Sequence, residues 1–355
     1  MIDSEKLKKA LKSVDKAVDR GDFPGATIAI GSSDGVEEIY QYGKAALYPK
    51  ALDLNIDTLY DLASLTKVVG TTTLYMRFIE KGLVTLHDRV ADYIPEFKGG
   101  EKDKVTLFNL LTHTSGLPDH LPFYELCSDY RDTIDYIANI ELEYLPGTRV
   151  IYSDLGFILL GYILEEIGGS RLDHLFNKYI FTPLGMKNTC FNPTTDNVAA
   201  TEVDKSTGKA IVGKCHDENG RFFGGVSGHA GLFSDIGDMV KFSNMLINGG
   251  RIGEDIFLSS AAFETMIRNY TQDLDEDRGI GWCVKGDKGR ISSGGDLISP
   301  SAFGHTGFTG TSIWTDIEQD IYIVLLTNRV HPTRENNALL RFRRTFHNSV
   351  LAAKI

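Results

Sequence analysis

Cysteine is scarce in this chain of 355 residues. The four present, Cys127, Cys190, Cys215 and Cys283, form no C-x-x-C pair, so neither a disulfide framework nor a cysteine zinc site is signalled, and free thiols in a reducing compartment are expected. An excess of basic charge is missing as well. The formal net charge of −11 speaks against nucleic acid as a partner, because that binding draws on Lys and Arg neutralising phosphates. Arg341, Arg343 and Arg344 make the one dense basic patch, and they read as a solvated helix face. Long apolar runs are absent too. Those around 157–160 and 321–326 are far too short to span a bilayer, and the first twenty residues lack the apolar stretch of a signal peptide, so a cytoplasmic protein without a membrane span is expected.

Several chemical signatures are also absent. No phosphate-binding G-x-x-x-x-G-K-[ST] loop and no H-E-x-x-H motif occurs, and His216-Asp217 has no third metal ligand at a recognisable spacing. Gly225-Val-Ser-Gly-His ends in His229 where a nucleophile elbow needs glycine, which excludes an α/β-hydrolase reading. We therefore expect no metal, no cofactor and no obligate protein partner. What remains is a small-molecule substrate.

Residues Leu7, Leu11, Val14 and Val18 recur at helical spacing among lysines and aspartates, which predicts an amphipathic helix packed on a core. Two β-rich runs follow, 25–31 and 36–42, with a polar turn between them. The C-terminal region mirrors this, with runs 312–315 and 321–327 flanking the turn 316–320 and a helical pattern from about Glu335 onward. Helical periodicity dominates between these ends, at 65–80, 106–111, 155–166, 172–179 and 239–247. The pattern predicts an α+β protein: an antiparallel sheet built from both termini (1–60 and 276–355), flanked by the terminal helices, with a mostly helical region inserted over 61–275. The cleft is expected between the two parts.

The first strong helix after the N-terminal hairpin contains Ser64-x-x-Lys67. Positions i and i+3 share a helix face, so hydroxyl and amine come within reach, and N–H groups at a helix start stabilise an alkoxide or oxyanion. Taken alone, the pattern also fits a serine that merely caps its helix. Further along come Tyr152-Ser153-Asp154 before an apolar helix, and His305-Thr306-Gly307 at the start of a strand.

In this order the three motifs resemble those of the class C β-lactamase, DD-peptidase and related esterase family: S-x-x-K, Y-x-N, and K-T-G or H-T-G. The likeness extends to Leu110-Leu-Thr-His-Thr-Ser-Gly-Leu, the Pro-Gly turn before Tyr152, Pro183-Leu-Gly-Met and Gly228-His-Ala-Gly-Leu-Phe-Ser. It implies a β-lactamase/transpeptidase-like fold and a serine hydrolase in which Ser64 forms an acyl ester while Lys67 and Tyr152 move its proton. The backbone N–H groups of Ser64 and Phe308 make the oxyanion hole, and Asp154, His305, Thr306 and Gly307 line the substrate site. The substrates implied are a β-lactam, a D-Ala-D-Ala-type peptide or a small ester. A carboxylesterase on the same fold, and a sensor that is acylated once without turnover, are the alternatives.

Two departures from the family pattern carry their own expectations. Asp154 stands where the family usually has asparagine, and its charge is expected to keep Lys67 protonated and leave Tyr152 as the base, with the ammonium lowering the phenol's pKa. His305 stands where lysine is commoner. An imidazole is largely neutral at pH 7, so carboxylate-bearing substrates are expected to turn over better below neutrality.

Overall fold

A computed structural model describes residues 2–355. Helix α1 (Ser4–Asp19) starts at Asp3, whose carboxylate accepts from the N–H groups of Glu5 and Lys6, and it buries Leu7, Ala10, Leu11, Val14 and Ala17. In chain order the strands are β1 (Gly25–Ser32), β2 (Gly35–Ala46), β3 (Leu52–Asp53), β4 (Tyr60–Asp61), β5 (Cys190–Phe191), β6 (Leu232–Ser234), β7 (Arg251–Ile252), β8 (Asp255–Ile256), β9 (Cys283–Val284), β10 (Phe303–Thr306), β11 (Ser312–Asp316) and β12 (Ile321–Thr327). Seven of them form one antiparallel sheet in the order β3-β2-β1-β12-β11-β10-β9, so the N- and C-terminal hairpins join through β1 and β12. This is the composite sheet expected from the hydrophobic pattern.

β1 and β12 are buried on both faces, which explains why they are largely apolar instead of alternating. Ile28, Ile30, Ile323 and Leu325 face the terminal helices, α1 and the C-terminal helix Ala338–Leu351. Ala29, Tyr322, Val324 and Leu326 point the other way and join the core of the inserted helical region. The small sheet β4-β6-β5 lies within that region and carries the chain into the nucleophile segment.

The helical pattern predicted over 65–80 is realised in three pieces. A 3₁₀ turn (Ala63–Leu65) leads into a π-helical stretch (Lys67–Thr72), which continues as helix α2 (Thr73–Glu80). Among the described residues no helix is long and apolar enough to cross a membrane.

Candidate active site

The turn that presents Ser64 is set by Asp61, the last residue of β4. Its buried carboxylate accepts from the N–H of Ala63 at 2.8 Å and of His216 at 2.6 Å, and burial pushes its pKa up to about 6 against those two bonds. Leu62 donates its N–H to Leu232 of β6, and Ala63 takes the left-handed conformation, φ 47°. Such a backbone costs about 1 kcal/mol or more and persists only where its surroundings fix it. It turns Ser64 out of the core toward the cleft. The Ser64 side chain caps no helix; its Oγ accepts from Lys67 Nζ at 3.2 Å.

Lys67 is fully buried. Its ammonium also donates to the carbonyl of His229 at 3.0 Å and lies 2.7 Å from Asp154 Oδ1. Burial pushes Lys67 toward the neutral amine, but its interactions with the Asp154 carboxylate first, and with Tyr152 second, outweigh it and hold Lys67 above its usual value. The carboxyl of Asp154, despite its own burial, is held well below the usual range by Lys67 and His120. The expectation that Asp154 keeps Lys67 charged agrees with this geometry.

Tyr152 lies against this pair, its ring centroid 5.0 Å from Lys67 Nζ. The His113 ring packs against it, tilted by 37° with centroids 4.6 Å apart, and the His305 ring lies at 5.8 Å. Here an expectation needs correcting. Burial raises the phenol's pKa more than the neighbouring ammonium lowers it, so at rest Tyr152 carries its proton. Its hydroxyl is buried and bonded to no protein atom among the described residues, which leaves it available to a substrate.

The third wall is β10. Gly307 sits so close to the nucleophile turn that a Cβ there would lie 2.4 Å from the Leu62 carbonyl oxygen and 2.2 Å from Thr311 Oγ1. Thr309 and Thr311 donate their hydroxyls to the carbonyls of Asp61 and Leu62, tying the β10–β11 connection to the residues just before Ser64. Gly307 gives its own N–H to the Thr311 carbonyl, whereas the Phe308 N–H meets no acceptor among the described residues. Ser64, Tyr152, His305, Thr306, Gly307 and Phe308 thus line one cavity of about 420 Å³.

His305 departs from expectation in its charge. Nδ1 lies 2.9 Å from the Thr306 carbonyl oxygen and therefore carries the proton there, leaving Nε2 as a buried lone pair without a partner. Burial first, then the cations Arg278 and Lys67, push its pKa down to about 3. His305 is neutral throughout the mildly acidic range, so the acid-side gain expected for carboxylate-bearing substrates has no group to carry it.

The beta-lactamase family pattern matches residues 12–346. The chain belongs to the beta-lactamase family. A Salmonella paratyphi B protein provisionally named D-alanyl-D-alanine carboxypeptidase is 33% identical, covering 93% of this chain and 84% of its own length. Among solved structures, the hydrolase EstCE1, described as having promiscuous acyltransferase activity, superposes with a TM-score of 0.80 at 24% identity, over 98% of this chain and 99% of its own. A class C beta-lactamase mutant gives a TM-score of 0.76 at 20% identity, over 98% of both chains.

This member of the beta-lactamase family is a serine hydrolase whose cavity holds side chains that sequence reasoning passed over. Arg278 lines it with its guanidinium 5.4 Å from the Tyr152 ring centroid. His120 reaches within 3.7 Å of the outer oxygen of Asp154, linking the buried pair to the surface. Buried Arg329 and exposed Asn337 and Leu340 also line the cavity, and so does Arg343, which is buried and not on the solvated helix face expected for it. None of these falls in a motif; their positions come from tertiary packing. His113 accepts the Ser153 N–H at Nδ1 and so fixes the backbone beside Tyr152. His229 contributes its carbonyl to Lys67, while its ring bonds Ser227 and Asp217.

Proposed function

We propose that Ser64 is the acylated nucleophile and that the substrate is a compact amide or ester of the D-Ala-D-Ala, β-lactam or small-ester type. The observation that carries this reading is the contact of Ser64 Oγ with an ammonium that is buried, charge-paired with Asp154 and 5.0 Å from the Tyr152 ring centroid. A structural serine has no need of a buried ion pair, which is costly to desolvate.

Because Tyr152 is protonated at rest, it serves as a relay. Its oxygen takes the Ser64 proton as Oγ bonds to the acyl carbon, and its own proton passes to the leaving nitrogen or oxygen as that bond to the acyl carbon breaks. The N–H groups of Ser64 and Phe308 hold the oxyanion. Water then attacks the ester carbon, and the Oγ–carbon bond breaks with Ser64 recovering a proton. Asp154 keeps Lys67 charged throughout, so the lysine stabilises the developing negative charge on Tyr152 and Ser64 without accepting a proton. His305, Thr306 and Gly307 shape the floor on which the substrate lies.

The uncharged His305 and the exposed apolar side chains of Phe308 and Leu340 at the rim favour a second reading, a carboxylesterase for small esters. Four unpaired cysteines support a cytoplasmic setting. The test is a panel of p-nitrophenyl esters, a chromogenic cephalosporin and a D-Ala-D-Ala peptide on wild type and Ser64→Ala. We expect turnover of at least one class and its loss by at least about a thousandfold in Ser64→Ala. A stable acyl adduct on Ser64 without turnover indicates the sensor, and undiminished hydrolysis by Ser64→Ala overturns the reading.

A further inference from the structure

Of the three arginines that line the cavity, Arg278 is the one packed against the Tyr152 ring, and the proton relay leaves it unused. Arg278 is 6% exposed and comes from the segment just before β9. Its Nε and Nη2 both donate to Glu276 Oε2, at 2.9 and 2.5 Å, and Nη1 donates to Cys283 Sγ at 2.9 Å. These bonds fix the guanidinium plane, with its centre 5.4 Å from the Tyr152 ring centroid. Holding a guanidinium this deeply is expensive unless its field is used.

We propose that Arg278 is a positioning residue for Tyr152: it supplies from the β9 side the fixed positive charge that a lysine at 305 would supply from β10. This rests on the acyl-serine reading above. The groups facing Tyr152 are the charged Lys67 and Asp154, the rings of His113 and His305, and Arg278. Both histidines are held neutral, with Arg278 among the causes. Lys67 is largely neutralised by Asp154 at 2.7 Å. Arg278 also has a carboxylate partner, but Glu276 is half exposed, so solvent screens the anion more than the buried cation. Asp154 thus weakens the pull of Lys67 on negative charge at the Tyr152 oxygen, and Arg278 adds to that pull from the β9 side. Because it acts on Tyr152, its effect does not depend on whether the substrate bears a carboxylate.

The test measures kcat, KM and the pH profile with an uncharged p-nitrophenyl ester and a D-Ala-D-Ala peptide, on wild type, Arg278→Gln, Arg278→Lys, the double variant Arg278→Gln with His305→Lys, and Ser64→Ala. We expect Arg278→Gln to lower kcat on the uncharged ester roughly tenfold and to move the Tyr152 limb of the profile up by about one unit, since one pKa unit is a factor of ten. Arg278→Lys should keep most of the rate, and the lysine at 305 should restore it in the double variant. The proposal is overturned if Arg278→Gln raises only KM for the carboxylate-bearing peptide, or if neither lysine recovers any rate. Should Arg278→Gln fail to fold, Arg278→Lys decides: a folded variant that keeps most of the rate with the Tyr152 limb in its wild-type place supports the proposal, and a folded one whose kcat on the uncharged ester falls tenfold overturns it. Activity surviving in Ser64→Ala removes the acyl-serine reading and this proposal with it; its loss there beside an unchanged Arg278→Gln removes this proposal alone.

Discussion

Asp154 illustrates how one oxygen-for-nitrogen difference reorganises a site. An asparagine here would hydrogen-bond Lys67; the carboxylate binds it as a charge, 2.7 Å away and only 19% exposed on its own side. In Asp154→Asn the burial of Lys67 is no longer opposed, so the amine should lose its proton below its ordinary value of about 10.4 and become able to act as a base. The expected outcome is a kcat/KM profile with a new ionisation between neutrality and pH 10, and an unchanged profile excludes this role for Asp154. Stability gives a second reading of the same charge. The folded-state pKa of Asp154 is depressed, so its contribution is present in full above the unfolded value of about 3.9 and drains away as pH falls below it. Urea melts should place Asp154→Asn below wild type by roughly 3 kcal/mol at pH 7, with the gap narrowing at pH 3. His120 was invisible to the same reasoning because its contact with Asp154 depends on how the 117–121 loop packs on the start of helix Asp154–Gly168, where Asp154 donates its N–H to the Asp119 carbonyl.

At the level of elements, the active site is a junction between β10 and the 3₁₀ turn before α2, and Gly307 is what permits the approach. Its backbone does not lie in the left-handed region, so alanine is conformationally allowed there; what forbids it is the meeting of a Cβ with Thr311 Oγ1 at 2.2 Å and with the Leu62 carbonyl oxygen at 2.4 Å. Gly307→Ala should therefore push β10 away from the nucleophile turn. Overpacking of this kind costs about 1–3 kcal/mol, and separating the Phe308 N–H from Ser64 should lower acylation by roughly a hundredfold, the scale of losing one oxyanion donor. A thermal melt beside burst-phase acylation by a p-nitrophenyl ester checks both, and wild-type acylation at normal stability contradicts the junction. The hairpins, the terminal helices and the triplets were legible because each has a local signature: alternating or continuous apolar runs, polar turns, i and i+3 spacing. The π-helical stretch from Lys67 to Thr72 was not, since its residues, polar and apolar alike, are buried on all sides and carry no period. Arg278 was missed for a related reason. Its partners Glu276 and Cys283 are near in sequence, but Tyr152 lies 126 positions away and no motif joins them.

At the scale of the whole molecule, we propose that the chain divides functionally at 1–60 with 276–355 against 61–275, while remaining energetically undivided. The core cluster that holds Leu65, Val68, Met239 and Phe242 also contains Ala29, Tyr322, Val324 and Leu326 from the inner face of the sheet, as well as Phe303 and Ile313 beside the cavity. Opening the cleft by separating the two parts exposes these side chains, each worth up to about 1.5–3 kcal/mol when buried, so partial unfolding has no inexpensive intermediate on that side. The outer face has its own cluster, beneath α1 and the C-terminal helix, but that cluster shares strands β1 and β12 with the first through their alternating side chains. Losing either cluster strips one face of a sheet that is apolar on both. Chains of this length frequently unfold in stages. Here the shared strands predict a single calorimetric transition, with equal calorimetric and van't Hoff enthalpies and coincident loss of ester hydrolysis and far-UV signal. Activity lost well below the main transition would mean that the helical part separates from the sheet first, and that the residues pairing Ser64 with Phe308 are held by loop contacts alone.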